Sequence, residues 1–380
     1  MASLYLHIPF CEKKCLYCDF YSIETLGPME DFLKGLQVEM ESYAWRGQGA
    51  SFDTVFFGGG TPSLLTPEQL ERILSSLHAN YSIADGAEVT LETNPGTVTP
   101  EKLSAFRSLG VNRLSIGVQS FDDGELRFLS RIHDSGQAVE AVELARRAGF
   151  DNISIDLMYS LPGQTPEQWL RTLEKGLALE PQHVSAYSLI VEDNTPLSRM
   201  VRAKQVSPNP VEAEAALFEI TMRVMADNGF EHYEVSNYAK PGRRSRHNYA
   251  YWSHENYLGF GPSAHSFWRA ADGRSGERWA NIANVSSYAR GLAERKMPLA
   301  FREEVREKEL ANERIFLGLR ADGVNLGRLE GEFGLKPAVA HQEIIRQLRT
   351  EGLAVEEGGI LRLTQAGFLL CDEIASRLMM

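Results

Sequence analysis

The sequence predicts an α/β fold: a partial barrel of six β/α units, followed by a small winged-helix-like α+β domain. Three observations carry this. Short runs of β-branched and aromatic residues alternate with helical runs six times in succession over the first 240 residues. Six units fall short of the eight of a closed (β/α) barrel, so the barrel is expected to be open. After Pro298 the pattern changes to helices followed by a hairpin.

The units can be taken in order. Strands are expected over 4–8, 54–57, 88–92, 113–117, 153–157 and 183–189, each bounded by turn residues. The helix after the first strand is expected over 29–45, where apolar residues recur at helical spacing. Pro67 and Pro100 open the next two, with Thr66 and Thr99 as N-caps. Helices over 136–148, 166–179 and 210–228 complete the six units. Strand, helix, strand in that order predicts parallel pairing through right-handed crossovers. Residues 1–240 are assigned to the barrel and 241–300, rich in His, Gly and aromatics, to a linker segment closing it. Residues 301–380 form the third unit: a charged helix over 303–319, helices near 325–333 and 337–350, a hairpin turning at Gly358-Gly359, and a last helix from about 365.

Composition narrows the function. The chain has 380 residues, 43% hydrophobic and 24% charged, enough for a large core and unlike a disordered or fibrous sequence. Its 39 basic and 51 acidic side chains give a net charge of −12. Phosphate binding wants a basic face, and residues 301–380 carry 11 basic against 14 acidic groups, so nucleic acid is not expected as a partner. No apolar run approaches the roughly 18 residues of a membrane span. The N-terminus lacks the features of a signal peptide, which points to the cytoplasm.

Three of the four cysteines, Cys11, Cys15 and Cys18, form C-x3-C-x2-C in the loop after the first strand. Thiolate sulfur suits an iron–sulfur cluster or zinc. Three thiolates can hold three irons of a [4Fe–4S] cubane and leave the fourth for a small molecule. A structural zinc site would need a fourth ligand, and His7 is the candidate. Cys371, in the final helix, reads as a small core residue.

This spacing, with Tyr17 just before the third cysteine, resembles the radical S-adenosylmethionine (SAM) superfamily. The run LYLHIPFCEKKCLYCDFYS narrows the resemblance to oxygen-independent coproporphyrinogen III oxidases and their relatives, the HemW-type haem chaperones. The match covers roughly residues 3–270 and implies a barrel of the radical SAM type. It also implies cluster ligation by the three cysteines, and SAM lined by Tyr5, Gly59, Gly60, Thr61, Glu92, Gln119, Arg131 and Asp156, with His265 nearby. Read by themselves, Gly58–Gly60 could be a tight turn, and each polar residue an ordinary loop entrance. Their convergence on strand ends is what argues for a pocket. Carboxylates suit ribose hydroxyls or the amine, Arg131 suits the SAM carboxylate, and Tyr17 offers an apolar face to adenine.

Three features separate the chaperone group from the oxidases. The oxidases carry a further cysteine where this chain has Phe20. Only ten residues precede Cys11, where the oxidases have an extra segment covering the site. His247-Asn248-Tyr249-Ala250-Tyr251-Trp252 contains H-N-x-x-Y-W, which looks like a signature of the HemW group. The resemblance then implies a chaperone binding the cluster, SAM and haem, with His247 as the haem-binding residue. Its partners would be apo-haem proteins such as respiratory cytochromes. Arg243, Arg244 and Arg246 would suit the haem propionates, and Tyr249, Tyr251 and Trp252 a porphyrin face. A solvated basic loop beside core aromatics is the plainer reading of the same residues. An oxidase, or a zinc-stapled structural or DNA-binding protein, are the alternatives. A homodimer is compatible with the sequence, which leaves oligomeric state open.

Overall fold

The computed structural model describes residues 2–380. Six parallel strands lie side by side in chain order: β1 (Ala2–Ile8), β2 (Phe52–Gly59), β3 (Ile83–Thr93), β4 (Arg113–Gln119), β5 (Ile153–Tyr159) and β6 (His183–Ser188). Each covers a segment expected from the sequence, and the partial α/β barrel with a small C-terminal α+β domain is borne out.

Alternation along the strands sorts the side chains into two layers. Leu4, Leu6, Val55, Phe57, Leu91, Leu114, Ile116, Ile155 and Leu157 are buried in the layer shared with the helices. The opposite register holds Tyr5, Thr54, Phe56, Glu92, Ser115, Asp156 and His183, which contact one another or groups in the barrel interior. The helices begin where the sequence says. Thr66 and Gln69 form a reciprocal cap on the helix Pro67–Asn80, as Thr165 and Gln168 do on Pro166–Ala178. Such caps contribute about 1 kcal/mol each.

The stretch after 240 is more regular than its sequence pattern. It holds the helix Arg246–Trp252 and strands that extend the same sheet. At the far edge, β8 (Asn237–Ala239) runs antiparallel to β6, and β7 (Glu231–Glu234) runs antiparallel to β8. At the other edge, β9 (Asn256–Phe260) runs parallel to β1, followed by antiparallel β10 (His265–Arg269), β11 (Gly276–Asn281) and β12 (Leu299–Val305). These strands are short and cut by glycines. A Cβ at Gly259 would lie 2.0 Å from the His265 carbonyl oxygen, so β9 and β10 approach closely only because that atom is missing.

The helix expected from 303 starts at Glu307, because Phe301 to Val305 complete the edge strand. Charged side chains on that strand discourage pairing with another chain. The C-terminal unit then packs helices Glu307–Leu319, Leu326–Phe333 and Gln342–Thr350 against a three-stranded sheet. In that sheet β13 (Val324–Asn325) and β14 (Ala354–Glu357) flank β15 (Ile360–Leu363). Gly358 and Gly359, with φ of 59° and 77°, make the two-residue hairpin turn. Cys371 is buried in this unit. Among the described residues no helix is long and apolar enough to cross a membrane.

Candidate functional site

The cysteine loop leaves β1 at Ile8 and is fastened at its base. Cys11 N–H donates to the Ile23 carbonyl and Ile23 N–H to the Pro9 carbonyl, both at 2.9 Å. Phe10 anchors the loop by packing edge-on against Phe32 at 5.4 Å. Lys14 Nζ donates to the Phe20 carbonyl at 2.7 Å, which draws the far side of the loop inward. The Phe20 side chain points to solvent, 63% exposed.

Two neighbours address the thiols. Arg131 Nη1 donates to Cys15 Sγ at 3.4 Å, while its Nη2 donates to the Gly117 carbonyl at 2.7 Å. Thr61 Oγ1 donates to Cys11 Sγ at 3.5 Å. Both contacts aim a hydrogen-bond donor at a sulfur that would serve as a ligand. Burial pushes the Cys18 thiol up to about 11, a cost that a bound cationic centre would offset. Tyr17 lies against Leu129, Met158 and Leu161, with its hydroxyl near Cys15 and Arg131.

The glycine run has a structural reason. Gly60 N–H donates to the Ile8 carbonyl at 2.9 Å and Thr61 N–H to the Phe10 carbonyl at 2.7 Å. A Cβ on Gly60 would meet those carbonyl oxygens at 2.8 and 2.6 Å, and Gly59 has φ of +106°. Gly59 N–H donates to Glu92 Oε2 at 3.2 Å. These amides are therefore committed to protein acceptors, and the close approach they allow is that of the cysteine loop itself.

Below the loop, the barrel interior carries two carboxyls. Burial, then the charge of Asp156, pushes Glu92 up to about 8. Asp156 accepts from Ser115 Oγ at 3.0 Å and is also raised by burial. Tyr5 adjoins Glu92, and its hydroxyl is 3.2 Å from His7 Nδ1. His7 Nε2 is 2.8 Å from the Tyr21 carbonyl, and burial holds the ring at about 4. Both nitrogens of the imidazole that could complete a zinc site are thus engaged elsewhere. Gln119 ends β4 with φ of 67°.

The structure thus brings Cys11, Cys15, Tyr17, Thr61 and Arg131 together, and Tyr5, Gly59, Glu92 and Asp156 beneath them. Two histidines adjoin this group. His265 stands exposed at the start of β10, with its ring 5.8 Å from that of Phe301, and its charge reaches His7. His247 is 1% exposed inside the barrel, stacks on Phe56 at 4.8 Å and has its ring 6.3 Å from that of Tyr5. Its Nδ1 meets Thr54 Oγ1 at 2.7 Å and its Nε2 meets Tyr251 Oη at 3.0 Å. Burial lowers its pKa to about 3, so the ring is neutral. The backbone amides of Arg246 and His247 donate to Glu88, which ties this helix into the barrel floor. Arg243 pairs with Asp151, and Arg244 with Glu231 and Asp322, all at the surface.

One interior residue went unnoticed in the sequence. Arg113 is 1% exposed, and none of its guanidinium nitrogens has a hydrogen-bond partner among the described residues. Its charge acts on Glu92, Asp156, His183 and His247. The available signal was its register, two residues before Ser115 on the inward face of β4.

Comparison with known proteins gives the family. A model of the Radical SAM superfamily matches residues 5–176, and one of the HemN C-terminal domain matches 305–370. A Bacillus subtilis (strain 168) protein named "Heme chaperone HemW" is 37% identical over 378 residues, 98% of each chain. The chain belongs to the HemW family of radical SAM proteins. A HemW relative from Lactococcus lactis subsp. lactis (strain IL1403) is 35% identical, covering 100% of this chain and 97% of its own. The structure of coproporphyrinogen III oxidase (HemN) from Escherichia coli superposes with a TM-score of 0.83. It covers 100% of this chain and 90% of its own at 23% identity, so this chain and the oxidase share the fold.

Proposed function

We propose that the protein is a haem chaperone of the cytoplasm. It holds a [4Fe–4S] cluster on Cys11, Cys15 and Cys18, takes SAM at the adjoining rim, binds haem and passes it to apo-haem proteins such as respiratory cytochromes. The supporting observation is full-length identity with relatives named heme chaperone, in a chain whose thiol loop is closed, pinned and addressed by Arg131 and Thr61.

The donor set suits the cluster. A cluster with one iron free of protein supplies electron transfer and a seat for a sulfonium nucleotide. The residues around it do the rest. Arg131 steadies the Cys15 thiolate. Glu92 and Asp156 present carboxyls to the nucleotide's amine or ribose hydroxyls. Tyr17 lays an apolar ring beside the thiols. For His247 to ligate haem iron, the Tyr251 hydroxyl must leave Nε2 and the helix Arg246–Trp252 must shift, because the ring is enclosed.

Anaerobic reconstitution followed by haem titration tests the reading. The expected result is iron and sulfide in the protein and saturable haem binding, without turnover of coproporphyrinogen III in the presence of reductant. Saturable protoporphyrinogen formation, or zinc in place of iron, would overturn it.

A further inference from the structure

A cavity of about 350 Å3 opens where the sheet meets the C-terminal unit. Three arginines converge on it from three elements: Arg269 from β10, Arg314 from the helix Glu307–Leu319 and Arg328 from the helix Leu326–Phe333. It lies at the opposite end of the sheet from the cysteine loop. Asn256, in its wall, is paired with Ala2, whereas the loop follows Ile8 at the other end of β1.

The arginines there are not paired one to one with carboxylates. Arg314 and Arg328 share Glu332, at 3.3 and 2.6 Å. Arg269 donates to neutral acceptors: His254 Nδ1 at 3.2 Å, the His254 carbonyl at 3.4 Å and the Gly273 carbonyl at 3.4 Å. Glu255 is also in the wall, and Glu313, which pairs with His254 Nε2 at 3.0 Å, acts on Arg269 through that ring, so the carboxylates stand around the arginines without closing the cavity. Arg314 Nε is buried with no hydrogen-bond partner among the described residues. Burial lowers the pKa of both Arg269 and Arg314, and each has another of these arginines as a like-charged neighbour. Arginine does not shed its proton in this range, so the charge persists and favours an anion. Its planar fork matches carboxylate and phosphate oxygens.

We propose that this cavity is an oxyanion-binding site, separate from the cluster, taking a carboxylate or phosphate group. The anion could be the propionate edge of a porphyrin or a free small anion; the porphyrin source rests on the chaperone reading. His254 follows the helix that carries His247 by two residues, so an anion held here would also act on that helix.

The test uses the full chain and two probes. Inorganic pyrophosphate is titrated calorimetrically into wild type, Arg328→Gln and the double variant Arg269→Gln/Arg328→Gln. Haem and haem dimethyl ester are titrated into the same proteins. Arg328 is exposed, so its single variant guards against a folding artefact, and thermal melts check both. The site is supported if pyrophosphate binding weakens roughly ten-fold or more in the double variant, or if a wild-type preference for haem over its diester disappears there. The second outcome assigns the porphyrin, and the first with haem binding unchanged assigns a free anion. The proposal is overturned if neither pyrophosphate nor the haem carboxylates distinguish wild type from the variants. Failure of wild type to bind haem at all would sink the chaperone reading, while the pyrophosphate arm would still decide the cavity.

Discussion

Arg131 Nη1 lies 3.4 Å from Cys15 Sγ, across 116 residues of sequence, while the same guanidinium is anchored to the Gly117 carbonyl. The segment after β4 thereby places a fixed positive charge against the cysteine loop. A charge-assisted hydrogen bond of this kind contributes about 1.5–3 kcal/mol. Arg131→Met should therefore lose cluster iron to a chelator at least about ten-fold faster than wild type, with far-UV circular dichroism unchanged. Equal loss rates would show that the contact does not matter to the cluster.

Gly60 permits the glycine turn to close on the loop. Gly60→Ala would put a methyl group within 2.6–2.8 Å of two backbone oxygens, which cannot swing aside as a side chain could. The expected cost is roughly 1–3 kcal/mol, read as a lower urea midpoint. Iron content after reconstitution should fall with it.

Glu92 supplies a pH dependence. Its folded pKa, about 8, lies above its ordinary value of 4.5, so folding takes up a proton. The stability it contributes is complete below pH 4.5 and is lost as pH rises through about 8. A cationic nucleotide prefers the ionised form, so SAM affinity should rise with pH up to about 8. Equilibrium binding of SAM at pH 6.5 and 8.5 measures this. Glu92→Gln should flatten the profile, and an unchanged slope would remove Glu92 from the site.

Tyr251 guards His247. Tyr251→Phe frees Nε2, so if His247 ligates haem iron this variant should bind haem several-fold tighter. His247→Ala should abolish the Soret signature of imidazole ligation. Identical haem spectra in wild type and both variants would place the ligand elsewhere.

Much of this architecture was legible. The six strands announce themselves because each is buried on its helix-facing side and bounded by turn residues, and Thr66, Pro67, Thr99 and Pro100 fix helix starts by chemistry confined to a few positions. The cysteine loop is local too, so its spacing survives in sequence. Arg131, Glu92 and Asp156 are legible only as strand-end or loop polar residues, since their convergence depends on parallel register. Strands β9 to β11 were hidden because glycine contacts and sheet-edge pairing, rather than hydrophobic period, define them. His247 shows the limit most clearly. The basic, aromatic run around it suggests an open surface, yet contacts with Thr54 and Phe56, nearly 200 residues earlier, enclose it.

The bond pair joining Pro9, Cys11 and Ile23 closes the cysteine loop at its base with backbone groups alone. The entropy of that closure is offset by hydrogen bonds that no side-chain substitution removes directly. Exchanges at the loop's tip should therefore alter the thiols' surroundings while leaving its two ends where they are.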